Sequence, residues 1–179
     1  MNTWPNAAIT NKGLALQSKL IEGHSLVITR AVTSTAYIQP VLLQQQTEIS
    51  DIKQTLSFKK VSYPEEGKCA VPTFLTNEGL AEGYIANQVG IFAEDPDEGE
   101  ILYLISQAER GKGTEVPSET EMPGYHAEWE FYFKYGNADG VSVTVDPAHT
   151  ISEAEALILI QENAVARTAP VAYLALDEE

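Results

Sequence analysis

The stretch Tyr125–Tyr135 constrains this chain more than any other. Tyr125, Ala127, Trp129, Phe131, Phe133 and Tyr135 alternate with His126, Glu128, Glu130, Tyr132 and Lys134. A helix would spread those aromatic rings around its circumference. A strand, whose side chains alternate with period two, gathers them on one face. So much apolar surface must be covered, so the chain is expected to build a sheet with a buried face. Asn137-Ala-Asp-Gly140 is turn chemistry, and Val141, Val143 and Val145 are expected to return as the partner strand of an antiparallel hairpin.

Other segments also read as β. Leu26–Val32 is β-prone. Thr55–Tyr63 and Lys68–Thr76 flank the turn Pro64-Glu-Glu-Gly67 and predict a second hairpin. Tyr84–Ala93 reads as one strand with Ile85, Val89 and Ile91 on one face, followed by the acidic turn Asp95-Pro-Asp-Glu-Gly99. Ile101–Gln107 is apolar enough to be covered on both faces. Residues 108–124, with three Gly and two Pro, have no periodicity and are expected to form a long functional or mobile loop.

Three segments predict helix. Residues 10–22 have Thr10 or Asn11 as N-cap and Gly23 where a left-handed C-cap belongs, although Gly13 weakens the pattern. Pro40–Gln46 reads as a shorter helical turn. Near the other end, Ser152 and Glu155 have capping-box spacing, which predicts a helix to about Arg167. Its run Leu157, Ile158, Leu159, Ile160, extended by Val165, is apolar around most of the circumference. Such a helix is expected to be covered on more than one side, by this chain's own sheet or by a partner subunit, and its apolar residues are the candidate assembly interface. The expected fold is α+β: β-rich, a mostly antiparallel sheet with an N-terminal and a C-terminal helix. Residues 1–150 would form one β-rich unit, and 151–179 the helix and tail.

Charge narrows the function. The 179 residues carry a net charge of -15, which excludes a general nucleic-acid binder and argues against docking on anionic lipid. No apolar run approaches the roughly 18 residues of a membrane helix, and the start Met1–Pro5 has no signal-peptide character. The single cysteine, Cys69, allows no intrachain disulfide and favours synthesis in the cytoplasm. The charge is uneven. Residues 1–60 hold six Lys/Arg against three Asp/Glu, a net of +3; the remaining five bases and 23 acids leave -18. This split suggests two ends in different surroundings.

Candidate chemistry is sparse. His24, His126 and His149 occur in no metal-binding helical spacing. His126-x-Glu128-x-Glu130 puts three possible ligands on one strand face, but a solvated polar face explains them as well. Asp95-x-Asp97-x-Gly99 opens like a calcium loop, yet its glycine is at the fifth position and Ser106 stands at the twelfth. Cys69 reads as a small buried hydrophobe. Gly111-Lys-Gly113 lacks the strand and helix of a phosphate cradle. No catalytic, cofactor-binding or metal-ligating residue is nominated, and no catalysis is expected.

Three stretches do have a familiar look. They are Ala8-Ile-Thr-Asn-Lys-Gly-Leu-Ala-Leu16, the segment from Val61-Ser-Tyr-Pro to Phe74-Leu-Thr-Asn-Glu-Gly-Leu80, and Gly83–Tyr103. The last contains Gly90-Ile-Phe-Ala93, the acidic turn, then Glu100, Leu102 and Tyr103. Together with the Val141–Val145 strand, this resembles the phage tail-collar fibre family, the N-terminal attachment modules of tail fibres, over residues 8–150. The resemblance implies a structural virion component at the phage tail, made in the host cytoplasm. Its partners would be other tail or baseplate proteins, in a homo-oligomer with a trimer favoured. The chain ends at Glu179 without a fibre shaft, which suggests a short adaptor. The alternative is a module that binds or acts on a surface carbohydrate, which for hydrolysis needs two carboxylates roughly 5–10 Å apart in a cleft.

Overall fold

The computed structural model describes residues 4–20, 25–65, 68–134, 143–152 and 154–156. The described residues form strands β1 (Asn6–Ile9), β2 (Leu26–Ser34), β3 (Ile52–Phe58), β4 (Lys68–Thr76), β5 (Tyr84–Ala86), β6 (Gln88–Asp95), β7 (Gly99–Gln107), β8 (Thr114–Val116), β9 (His126–Lys134) and β10 (Val143–Val145), together with the α-helix α1 (Asn11–Leu20). Two short 3-10 turns lie at Pro40–Gln45 and Pro147–His149. The fold is β-rich and mostly antiparallel. The described residues show no separate helical layer, so the expected α+β arrangement reduces to a curled sheet with a few short helices.

The sheet runs β1-β7-β6-β2-β3-β4-β9, with β10 beside the first half of β2; β5 and β8 pair separately. Its main core fills one face: Leu16 and Leu20 of α1, Trp4, Leu26, Ile28, Phe58, Tyr103, Trp129 and Phe131 all join it. A smaller cluster on the other face holds Val32, Phe92, Leu102 and Ile105 under Leu43 and Ile49. Residues 101–107 are therefore buried on both sides, as their unbroken apolar run predicts. A bulge makes this possible. Ile91 pairs with Leu104 and Phe92 with Leu102, so Tyr103 is an extra residue and its carbonyl turns to accept the Thr10 N–H at 3.0 Å.

Helix α1 starts as its sequence predicts. The Thr10 hydroxyl accepts from the Gly13 N–H at 3.0 Å, an N-cap bond, and donates to the Leu102 carbonyl. Gly13 is needed for proximity: a Cβ there would lie 2.3 Å from the Tyr103 carbonyl oxygen and 2.7 Å from Ile9 Cγ2. The position of Gly23 lies outside the described residues.

The aromatic strand is present, but its polar face is not solvated throughout, since His126 is buried as well. Tyr125, Ala127, Trp129 and Phe131 are buried, whereas Glu128, Glu130 and Tyr132 are half-buried. Its partner differs from expectation. Strand β9 pairs along its whole length with β4, from Lys68↔Lys134 to Thr76↔His126. Strand β10 instead lies parallel to β2, Val143 opposite Leu26. The β4–β9 ladder runs over nine pairs and sets Val71 opposite Phe131, Thr73 opposite Trp129 and Leu75 opposite Ala127 on the buried face, which a three-residue β10 cannot match. The expected β3–β4 hairpin exists but is short, with pairs Ser57↔Phe74 and Phe58↔Thr73 and an isolated bridge Ser62↔Ala70.

Two further corrections concern segments 84–93 and 108–124. The first is two strands. At Asn87 the chain steps from the small sheet into the large one: its N–H and side-chain amide donate to the Ser34 and Thr35 carbonyls. Ile85 is consequently 53% exposed while Val89 and Ile91 are buried. The second is held in place rather than free. Thr114–Val116 pairs with β5, and the buried Asn77 amide donates to the carbonyls of Pro117, Ser118 and Met122. Sequence periodicity misses this because one asparagine from a distant turn supplies the bonds.

Candidate functional site

A cleft of about 820 Å³ opens between β10 and the segment that continues β3. One wall is Lys59, Lys60, Val61 and Tyr63. The other is Val143, Thr144 and Val145, and Pro147, Thr150, Ile151 and Ser152 close one side. The cleft exists because β10 replaces β3 as the neighbour of β2. Strand β3 pairs with the second half of β2, and β10 with the first half. The chain beyond Phe58 diverges from β10 and leaves a gap in the sheet.

Tyr63 spans that gap. Its hydroxyl accepts from the Val143 N–H at 3.1 Å and donates to the Val143 carbonyl at 3.0 Å. The far side is tied to β3 by the Ile151 N–H, which donates to the Phe58 carbonyl at 2.8 Å. Asp146 caps the 3-10 turn by accepting from the Ala148 N–H at 2.9 Å. The predicted capping box is formed at the rim: the Ser152 N–H and hydroxyl donate to Glu155 Oε2 at 2.8 Å, and the Glu155 N–H donates to Ser152 Oγ at 3.1 Å. These bonds to Ser152, the backbone N–H first, hold the Glu155 carboxyl below its usual range.

The lining is mostly apolar, and its charged members are Lys59 and Lys60. Lys59 Nζ is bonded to Glu128 and lies 5.4 Å above the Phe74 ring. None of the lining residues is Asp, Glu, His or Cys, so this cleft does not provide the carboxylate pair that carbohydrate hydrolysis needs.

A second charged feature lies on the opposite side of β2's pairing. The turn Asp95–Gly99 joins β6 to β7, with Gly99 at φ +79°, the left-handed conformation such hairpin turns require. Asp95 is 2% exposed at its side chain and accepts from the N–H groups of Asp97 and Glu98 at 2.8 and 3.1 Å. Lys19 of α1 reaches Asp95 at 2.7 and 2.9 Å and Asp97 at 2.7 Å. Lys12 pairs with Glu98. The Lys19 ammonium holds the Asp95 carboxyl below its ordinary value, and Asp95, then Asp97, raise that of Lys19. The acidic turn is thus filled by lysines, which agrees with its failure as a calcium loop.

The uneven charge therefore has an internal explanation. Lys12, Lys19, Arg30 and Lys59 pair with Glu98, Asp95 and Asp97, Glu100, and Glu128 respectively. Four bases of the +3 segment meet acids of the -18 segment within one chain. The expectation of two separate environments is replaced by this complementarity.

The remaining candidates stay apart. His126 is 4% exposed, stacked on Phe74 with ring centroids 5.8 Å apart, and its Nδ1 has no hydrogen-bond partner. Glu128 is committed to Lys59, so the His126–Glu130 face gathers no ligand set, and no group of three or more His, Cys, Asp or Glu is placed for a metal among the described residues. His149 Nδ1 lies 4.0 Å from Asp146. Cys69 is buried mid-strand, and burial pushes its thiol up to about 12. Lys112 pairs with Glu109. His24 and the interface candidates Leu157, Ile158, Leu159, Ile160 and Val165 lie outside the described residues. The cleft residues Lys60, Tyr63 and Val143 carry no sequence signal, because a gap between strands 80 residues apart has no local pattern. No family model, curated protein or solved structure matches this chain.

Proposed function

We propose that the chain is a structural attachment module of a phage tail fibre or baseplate, acting by assembly rather than catalysis. One observation supports this reading most: the first and the last of the three family-like stretches pack together as one physical unit. Thr10 and Gly13, from the opening stretch, sit on Leu102 and Tyr103 at the end of the Gly83–Tyr103 stretch, and Lys12 binds the acidic turn between Gly90 and Tyr103. These residues fix α1 to the central hairpin. That is a role in holding a scaffold, and it explains why the resemblance lies in structural patterns.

In this reading the expected C-terminal helix begins at the Ser152 capping box. Leu157, Ile158, Leu159, Ile160 and Val165 then form the contact between copies, with a trimer favoured. The partners are other tail or baseplate proteins, and the place is the virion tail. Mass spectrometry of particles purified after prophage induction tests the proposal. The chain is expected among the tail proteins at a fixed ratio to a baseplate subunit. Particles complete in fibres yet free of this chain would overturn it.

A further inference from the structure

Val41 is the most exposed large apolar side chain among the described residues, at 75%, and its neighbour Leu42 is 39% exposed. Both stand on the 3-10 turn Pro40–Gln45. The stretch around them, Ala31–Thr47, holds no charged residue, on a chain of net charge -15. A lone exposed aliphatic side chain is ordinary. What sets this pair apart is how firmly the chain holds it out.

Both legs of the loop are pinned by buried groups. Gln107 is 0% exposed; its amide accepts from the Ile38 N–H at 3.0 Å and donates to the Ile38 carbonyl at 2.8 Å. The buried Gln88 donates to Gln107 Oε1 at 2.7 Å and fixes that amide in turn. Asn87 holds the Thr35 carbonyl at 2.8 Å, and the Ser34 hydroxyl donates to the Ser50 carbonyl at 2.6 Å. Beneath the tip, Leu43 and Ile49 are sunk in the smaller core. Val41 and Leu42 are thus presented in a set position, with little chain entropy left to lose on contact. That is the property of a preorganised docking loop.

The same chain offers a matching recess. The cleft beside β10 has Val61, Val145, Pro147 and Ile151 in its walls and no acid in its lining. The tip cannot enter its own cleft. The turn Pro40–Gln45 lies against β1 and β7, whereas the cleft lies on the opposite side of β2. Two to three strand spacings of about 4.8 Å separate β2 from β7 and β1, and the pinned legs keep the tip there. A second copy meets no such obstacle. Two chains of charge -15 repel, so they meet most readily where both surfaces lack acids, and tip and cleft are two such surfaces. The contact is apolar, so the Tyr63–Val143 bonds and the Lys59–Glu128 pair stay as they are.

We propose that Val41 and Leu42 of one copy seat in the cleft of the next, head to tail. Such a contact joins two different patches, which is what each interface of a cyclic trimer requires. It rests on the homo-oligomer of the proposed function and not on the virion as its place, so absence of the chain from particles would leave it standing.

A complementation experiment on the full chain tests it. The tip variant is Val41→Asp with Leu42→Asp. The cleft variant is Thr144→Glu, at an exposed residue of the lining. Circular dichroism checks that both are folded, and Val41→Ser with Leu42→Ser is a milder tip variant expected to act in the same direction. Light scattering over a concentration series should show each variant associating at least about tenfold more weakly than the wild-type chain. The tip variant keeps a working cleft and the cleft variant a working tip. Mixed at equal amounts, at a concentration where each alone is monomeric, they are expected to form 1:1 pairs and nothing larger. Folded variants that associate like the wild type, a mixture that stays monomeric, or a wild-type chain that is itself monomeric at high concentration would each overturn the proposal.

Discussion

Trp4 and Trp129 meet edge to face, with ring centroids 5.8 Å apart and planes at 76°. Trp4 lies two residues before β1 and Trp129 in the middle of β9, and these are the two edge strands of the large sheet. The sheet therefore curls until its edges touch through side chains. Trp4 Nε1 donates to Thr114 Oγ1 at 3.2 Å, which ties the small sheet to the same point.

These are the only two tryptophans in the chain, so they report on edge closure. Trp4→Ala is expected to cost about 3–5 kcal/mol, the usual range for emptying a large aromatic site in a core. Trp4→Phe should cost about 1–2 kcal/mol, since it keeps most of the ring contact and loses the bond to Thr114. Urea unfolding followed by Trp129 fluorescence measures both.

The Asp95–Lys19 clamp gives an acid-side pH dependence. Asp95 has its carboxyl lowered in the fold, chiefly by Lys19, so the stability it contributes is present above its ordinary value near 4. That contribution is lost as pH falls through the lower folded value. Asp95→Asn should lower the urea midpoint at pH 7 and flatten its dependence on pH between about 5 and 2. A pH series of unfolding curves on both proteins is the check.

Gly13 separates helix propensity from packing. Alanine in an exposed helix interior gains about 1 kcal/mol over glycine. Here a Cβ would sit 2.3 Å from the Tyr103 carbonyl oxygen, so Gly13→Ala is expected to destabilise by about 1–3 kcal/mol instead. A calorimetric scan should show the melting temperature falling.

His126 offers the opposite sign. Its ring stacks on Phe74 while its buried Nδ1 is unpaired. His126→Phe keeps the stack and removes the unpaired nitrogen, with an expected gain of about 1 kcal/mol by chemical denaturation. A loss of similar size would show that the nitrogen has a partner role.

The proposed assembly is tested at residues 157–160. On the proposed assembly reading, Ile158→Asp or Ile160→Asp is expected to give a folded monomer where the wild-type chain is oligomeric, as read by light scattering together with circular dichroism. A monomeric wild-type chain at high concentration would remove the interface proposal.

Much of the scaffold is legible from the residues. The period-two aromatic strand, the doubly buried Ile101–Gln107 run, the Thr10 cap and the Ser152–Glu155 box all express short-range rules, and all are present. What periodicity cannot give is partner choice. Val143–Val145 and Lys68–Thr76 are both plausible neighbours for β9, and only the summed packing of nine residue pairs decides between them. Nor can a sequence show that Asn77 holds the 117–122 backbone, or that Lys12 and Lys19 are spent on one acidic turn. The cleft was invisible for the same reason: it is the space between two strands whose separation depends on every other pairing.

Strand β2 sits in the middle of the sheet, yet its parallel neighbour is β10, so Leu26 waits for Val143. During synthesis, β2 leaves the ribosome long before β6 or β10 exists to cover it. Strand β3 follows soon after and can pair with the second half of β2, but the edge that takes β6 stays open until β6 is made, and Leu26–Ile28 wait for β10, which favours late closure and capture by chaperones. For such a chain, the order of emergence from the ribosome is as much a determinant of yield as the stability of the finished sheet.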